Sequence, residues 1–203
     1  MKLGVLCIRR YDLLDTFVAS VLAGSHRPEK IVLIDNGGQY EAKHPDVEIL
    51  HQGTNLGVAA SWNKLLCAGV WIISNDDVLF QRETFAEMAA ALEGGDLFVN
   101  AGGWALFGQR PEVAERIGLY DERFYPAYYE DADYRVRLGL AGIAIRSDVL
   151  SEKIDHKQWA SAESVEKVNA ICRRSYEIFL DKWGASPEDV LAQGSAAKPK
   201  EDP

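Results

Sequence analysis

Short apolar runs that end on polar residues constrain this chain more than any other feature. Ile31-Val32-Leu33-Ile34 stops at Asp35-Asn36-Gly37-Gly38, and Val70-Trp71-Ile72-Ile73 stops at Ser74-Asn75-Asp76-Asp77. Between such runs lie stretches whose apolar residues recur three and four apart, as in Leu13, Phe17, Val18 and Val21. A run that is apolar at every position suits a strand buried on both faces, and strand–helix alternation suits a parallel sheet covered by helices. The pattern predicts strands over 2–8, 31–34, 47–51 and 70–73, with helices over 13–22, 55–68 and 83–92. Later the alternation loosens. Strands are expected over 97–100, 104–107 and 143–145, and helices over 111–117, 129–140 and 165–183, the last closed by Gly184. The expected fold class is α/β: one domain over 1–184, built on a mostly parallel Rossmann-like sheet flanked by helices. Periodicity stops at Ala185, so 185–203 is expected to be a flexible tail.

Composition narrows the function. The 203 residues carry a formal net charge of −9, which argues against non-specific nucleic-acid binding through a basic face. The same charge does not bar an anionic substrate, because a bound cation reverses the local sign. No apolar run approaches the roughly 20 residues a spanning helix needs. The opening Met1-Lys2-Leu3-Gly4-Val5-Leu6-Cys7-Ile8 meets Arg9-Arg10 before reaching signal-peptide length. The three cysteines, Cys7, Cys67 and Cys172, make neither an even set nor a CxxC pair. Reduced thiols and a cytoplasmic location are expected.

Three polar clusters follow apolar segments. Asp35-Asn36-Gly37-Gly38 has the composition of an Asx turn. Asn75-Asp76-Asp77 sets two acids side by side where they repel each other unless a cation sits nearby, and such oxygens suit Mg²⁺ or Mn²⁺; a helix N-cap at Asp77 is the structural alternative. Tyr129-Glu130-Asp131-Ala132-Asp133 places three acids in four positions. Helix-dipole stabilisation accounts for some of them, and a proton-accepting carboxylate held by its neighbours accounts for all.

In this order the clusters resemble family 2 of the glycosyltransferases, with the GT-A fold, especially its rhamnosyltransferase-like branch. The resemblance also rests on Asn55-Leu56-Gly57 followed by Asn63, on Gly118-Leu119-Tyr120-Asp121-Glu122-Arg123-Phe124, and on Lys182-Trp183-Gly184. It implies an inverting, metal-dependent transfer of a hexosyl or deoxyhexosyl group from a UDP-, dTDP- or GDP-sugar to an acceptor hydroxyl. Asp131 matches the general base and Glu130 a contact to acceptor or sugar. Asp77 and His156 match ligands of a divalent metal, Mn or Mg, with His156 on a loop after the strand at 143–145. Asp35, Asn36, Asn55, Asn63 and Asp76 match the nucleotide-sugar site. Arg9, where the family usually shows another motif, is a candidate for phosphate or base contact, and Trp104 for a stacking surface or a core residue. Asp35, Asp76, Asp77, Glu130, Asp131 and Asp133 are expected to line one pocket. Two rival readings stand beside this one. A non-catalytic binding module on the same fold would keep the residues without the chemistry. A sugar-phosphate nucleotidyltransferase would want a Gly-rich loop after the first strand, where Cys7-Ile8-Arg9-Arg10 has no glycine.

Overall fold

A computed structural model describes residues 1–51, 53–147, 154–156 and 164–200. Strands β1 (Leu3–Cys7), β2 (Ile31–Asp35), β3 (Val47–His51) and β4 (Ile72–Asn75) lie parallel in the order β3-β2-β1-β4. Beyond β4 the short strand β5 (Val78–Phe80) leaves the sheet, which continues through β6 (Phe98–Ala101), β7 (Leu106–Gln109) and β8 (Ile145–Arg146). The full order is β3-β2-β1-β4-β7-β6-β8, and β7 alone runs against the other six strands. β5 pairs antiparallel with β9 (Ile154–His156) as a separate two-stranded ribbon.

Alternate residues of one strand reach opposite faces, so each strand feeds two cores. Ile31 and Leu33 of β2 join Leu14, Phe17 and Val21 of α1 (Tyr11–Leu22) and Phe85, Met88 and Leu92 of α3 (Thr84–Glu93). Val32 and Ile34 face the other way, onto Ala59, Trp62 and Leu65 of α2 (Gly57–Cys67), Val113 of α4 (Pro111–Ile117) and Tyr134 and Leu138 of α5 (Glu130–Leu140). The two-faced burial explains why these strands read as continuous apolar runs. A third cluster packs α6 (Val165–Trp183) and α7 (Pro187–Gln193) onto the outer side of α5 through Phe179, Trp183, Val190 and Val136.

The expected α/β class and mostly parallel, helix-flanked sheet are found. Two expectations need correction. Residues after Ala185 are not all aperiodic: Ser186 accepts from the Asp189 N–H and caps α7, with Pro187 at its first position, and Val190 is buried. Asp77 caps no helix, because β5 intervenes before α3 begins.

Candidate active site

The strand ends of one sheet edge carry the polar residues. Cys7 at the end of β1 lies in register with Asp35, and Leu6 with Asn75, so three strand ends are level. Arg9 stands exposed just past β1. Asp35 takes the Tyr11 hydroxyl (2.9 Å) and the Gly37 N–H (3.1 Å) on Oδ1 and the Tyr40 N–H (2.8 Å) on Oδ2. This is the Asx turn its composition suggests. Gly37 is required there, since a Cβ would collide with the Ile8 carbonyl and the Tyr11 hydroxyl.

Asp76 and Asp77, both 5% exposed, follow β4. Burial pushes the Asp76 carboxyl up to about 6; the Asp77 charge adds to the shift, while the Cys7 thiol, donating to Asp76, and Arg10 oppose it. Burial, followed by the Asp76 charge, raises the Cys7 thiol in turn. Asp77 is also raised by burial, against the opposing influence of His156. His156 reaches it because β5 and β9 pair Val78 with His156, which brings Nε2 to 3.3 Å from Asp77 Oδ1. His156 thus lies on a strand, not on a loop. Asp77 Oδ1 and His156 Nδ1 are buried with no hydrogen-bond partner among the described residues.

The head of α2 is tied to this edge. Asn36 Oδ1 accepts the Leu56 N–H (2.8 Å) and its Nδ2 donates to Ser61 Oγ (3.0 Å), while Asn55 Oδ1 accepts the Gly57 N–H (2.9 Å). Gly57 sits at φ 76°, and a Cβ there would lie 2.8 Å from the Tyr125 ring and 2.9 Å from the Pro126 carbonyl oxygen. That close approach lets Val58 N–H donate to Pro126 O (2.8 Å), which lays the segment before α5 across the head of α2.

Two non-glycine residues with left-handed backbone, Tyr128 (φ 73°) and Tyr129 (φ 69°), lead into α5. Such backbone costs about 1–2 kcal/mol per residue and concentrates at functional sites. Glu130 and Asp131 follow. Glu130 is buried, and its Oε2 has no hydrogen-bond partner among the described residues. Burial, followed by the Asp131 charge, raises Glu130 well above the ordinary glutamate value. Asp131 is raised by burial too, against the Ala132 N–H that Oδ1 accepts at 2.8 Å.

The structure therefore brings Asp76, Asp77 and His156 into one group and Glu130 and Asp131 into another. Other expected site residues stand elsewhere. Asn63 donates to Tyr120 O (2.9 Å) and Glu122 Oε1 (2.9 Å) and accepts the Tyr120 N–H (2.8 Å), so its amide fastens α2 to the 120–122 segment. Trp104 belongs to an aromatic cluster, with ring centroids 4.8 Å from Phe98 and 5.4 Å from Phe107. Asp133 does not join the pocket: fully buried, it accepts from Trp183 Nε1 (2.8 Å), Arg137 Nε (2.9 Å) and Lys182 Nζ (2.7 Å). Lys182 also reaches Asp121 at 2.8 Å, which gives the Lys182-Trp183 pair a structural role that spacing alone does not reveal.

With this geometry in hand, comparison with solved structures is informative. The fold resembles a mannosyltransferase, PcManGT from Pyrobaculum calidifontis in complex with GDP-Man and Mn²⁺, at TM-score 0.57 and 15% identity over 72% of this chain and 53% of that one. It also resembles residues 1–349 of S. aureus TarS, at TM-score 0.62 and 12% identity over 95% of this chain and 69% of that one. The chain has a glycosyltransferase fold. It spans about half of the mannosyltransferase's length. No family model and no curated protein sequence matches it.

The residues present can be tested against the divalent metal that the family resemblance implies. Asp77 Oδ1 is buried and lies 3.3 Å from the His156 imidazole, an oxygen and a nitrogen that fit a cation whose other ligands come from a diphosphate and water. Among the described residues no group of three or more His, Cys, Asp or Glu gathers around one point. No helix among the described residues is long and apolar enough to cross a membrane.

Proposed function

We propose that this chain transfers a sugar from a nucleotide diphospho-sugar to an acceptor hydroxyl, with inversion at the anomeric carbon. One observation carries the reading: among the described residues of this glycosyltransferase fold, Glu130 Oε2 is a buried carboxyl oxygen without a hydrogen-bond partner, as is Asp77 Oδ1 apart from the His156 imidazole 3.3 Å away. Stability alone disfavours such atoms, and each calls for a ligand.

The chemistry is a single displacement. The acceptor oxygen attacks the anomeric carbon while its proton passes to Asp131. A new C–O bond forms, the bond from that carbon to the diphosphate breaks, and the nucleoside diphosphate leaves with the electron pair. Because burial raises Asp131, its carboxylate is a stronger base than an exposed aspartate would be. The neighbouring Glu130 is biased to its neutral form, so it donates a hydrogen bond to the acceptor or sugar instead of competing for the proton. Asp77 and His156 would hold Mn²⁺ or Mg²⁺, whose charge offsets that of the diphosphate when bound. Arg9 and Asp76 face the donor; Asp35, Asn36 and Asn55 shape the turn and helix head beside it, and Asn63 and Trp104 support the wall behind. The GDP-Man in the mannosyltransferase supports a GDP-sugar among the candidate donors, with UDP- and dTDP-sugars beside it.

Thermal-shift titration of the full chain with GDP, UDP and dTDP, each with Mn²⁺ or with EDTA, tests the donor reading. At least one nucleotide should stabilise the chain with Mn²⁺, by about 2.7 kcal/mol at 100 times its Kd. Asp77→Ala should remove the Mn²⁺-dependent part. No shift with any nucleotide would reject a nucleotide-sugar donor.

A further inference from the structure

An open cleft of about 420 Å³ lies between the head of α5, the middle of α6 and the start of α7. Its lining includes Tyr128, Tyr129, Asp131, Arg135, Tyr176 and Glu188. We propose that this cleft is the acceptor site and that its occupant is a neutral saccharide; the inference rests on the transferase reading and names the substrate class that reading leaves open.

Position comes first. Asp131 forms part of the cleft wall, so a hydroxyl group bound there meets the base directly. Chemistry comes second. Three tyrosines supply flat apolar faces with polar rims, which match a sugar ring whose C–H groups lie on one face and hydroxyls around its edge. Tyr129 and Tyr176 stand with centroids 5.2 Å apart at 36°, and Tyr129 is backed by Phe179 at 5.9 Å, so the aromatic wall is held in place. The left-handed backbone at Tyr128 and Tyr129 presents two successive rings at this point, where ordinary helical entry would not.

Charge decides between a neutral and an anionic occupant. Among the described lining residues the carboxylates of Asp131 and Glu188 outnumber one cation, Arg135. A phosphorylated or carboxylated acceptor would meet net repulsion, whereas a polyol finds carboxylates to accept its hydroxyl protons and a guanidinium to donate. Closure by α7 gives this chain its own wall. Pro187 lines the cleft, and the Ser186 cap that starts α7 fixes its position, with Val190 buried behind.

Saturation-transfer NMR on the full chain tests this with maltotriose, cellotriose and xylotriose as neutral probes and glucose 1-phosphate as the anionic one. At least one neutral trisaccharide should bind, with transfer concentrated on ring C–H protons, and more tightly than glucose 1-phosphate. Tyr176→Ala should weaken it about tenfold or more, Tyr176→Phe by no more than about twofold, and Asp77→Ala not at all. The Tyr176→Phe variant keeps the ring and controls for folding. Absence of binding by all three trisaccharides, preference for glucose 1-phosphate, or binding indifferent to Tyr176→Ala would each overturn the proposal. Failure of the transferase reading looks different: saccharides would bind in a Tyr176-dependent way while no nucleoside diphosphate binds.

Discussion

Glu130 pays a desolvation penalty that folding alone does not require. Its carboxyl group is buried, raised well above 4.5 by burial and then by Asp131, and lacks a hydrogen-bond partner at Oε2 among the described residues. Below about pH 4.5 the group is protonated in both folded and unfolded chains, so it imposes no pH-linked cost. As pH rises from there toward the raised folded value, the unfolded chain loses the proton first and stability falls. Glu130→Gln stays neutral throughout, so its Tm should exceed that of the native chain by a margin that grows as the pH rises from about 4.5 into the neutral range. A margin independent of pH, measured by thermal unfolding across that range, would mean that Glu130 is not held protonated. Where these acids stand was legible from residue types: Asp76-Asp77 directly follows β4 and Glu130-Asp131 opens α5. The partners of individual side chains were not legible. Asp133 shares the sequence neighbourhood of Asp131, yet about half a turn of helix points it at Trp183 and Lys182 instead.

Among the elements, α5 carries the acids and α6 holds it in place. Asp133 gathers Arg137 from its own helix and Lys182 and Trp183 from the end of α6. Burial alone would raise Asp121 at the far side of Lys182, but Arg123 and Lys182 outweigh it and hold that carboxyl well below the usual range. Asp133→Ala should destabilise the fold by roughly 3–5 kcal/mol in urea unfolding, since it strands buried donors on three residues. A loss under about 1 kcal/mol would show that α6 is anchored by its apolar face alone. The head of α5 depends in turn on Gly57. Gly57→Ala forces a Cβ against Tyr125 and Pro126 at a left-handed position, so it should cost about 1 kcal/mol or more and reduce transfer activity even though position 57 contacts no reacting atom. Long, strongly periodic elements such as α6 were readable to the residue, because one amphipathic face repeats along its 19 residues. The β5–β9 ribbon was not, because three-residue strands carry no period and their pairing joins segments far apart in the chain. For α7 a local signal did exist, in Ser186-Pro187-Glu188-Asp189, a capping serine followed by proline and two acids.

For the molecule as a whole, the net charge of −9 is partly a property of its working edge. Asp76 and Asp77 stand at the end of β4 and Glu130 and Asp131 at the head of α5, each pair at an energetic cost seen in its raised proton affinities. The parallel sheet supplies the platform by ending β1, β2 and β4 at one level, and the Gly57–Pro126 approach ties the segment before α5 to the head of α2. Fold class was readable because alternation is a property of the entire chain; the cleft proposed for the acceptor was not, because its walls join α5 to α6 and α7 across a break of more than twenty residues in sequence. The central claim is that this edge catalyses sugar transfer with Asp131 as base. It is tested most directly by measuring nucleoside diphosphate release from the bound nucleotide-sugar, in the native chain and in Asp131→Asn, alongside donor affinity. The account predicts a rate lower by about 10²–10⁴-fold in the variant, with donor affinity unchanged. Equal inertness of both proteins while both bind donor would contradict it and leave a binding module in its place.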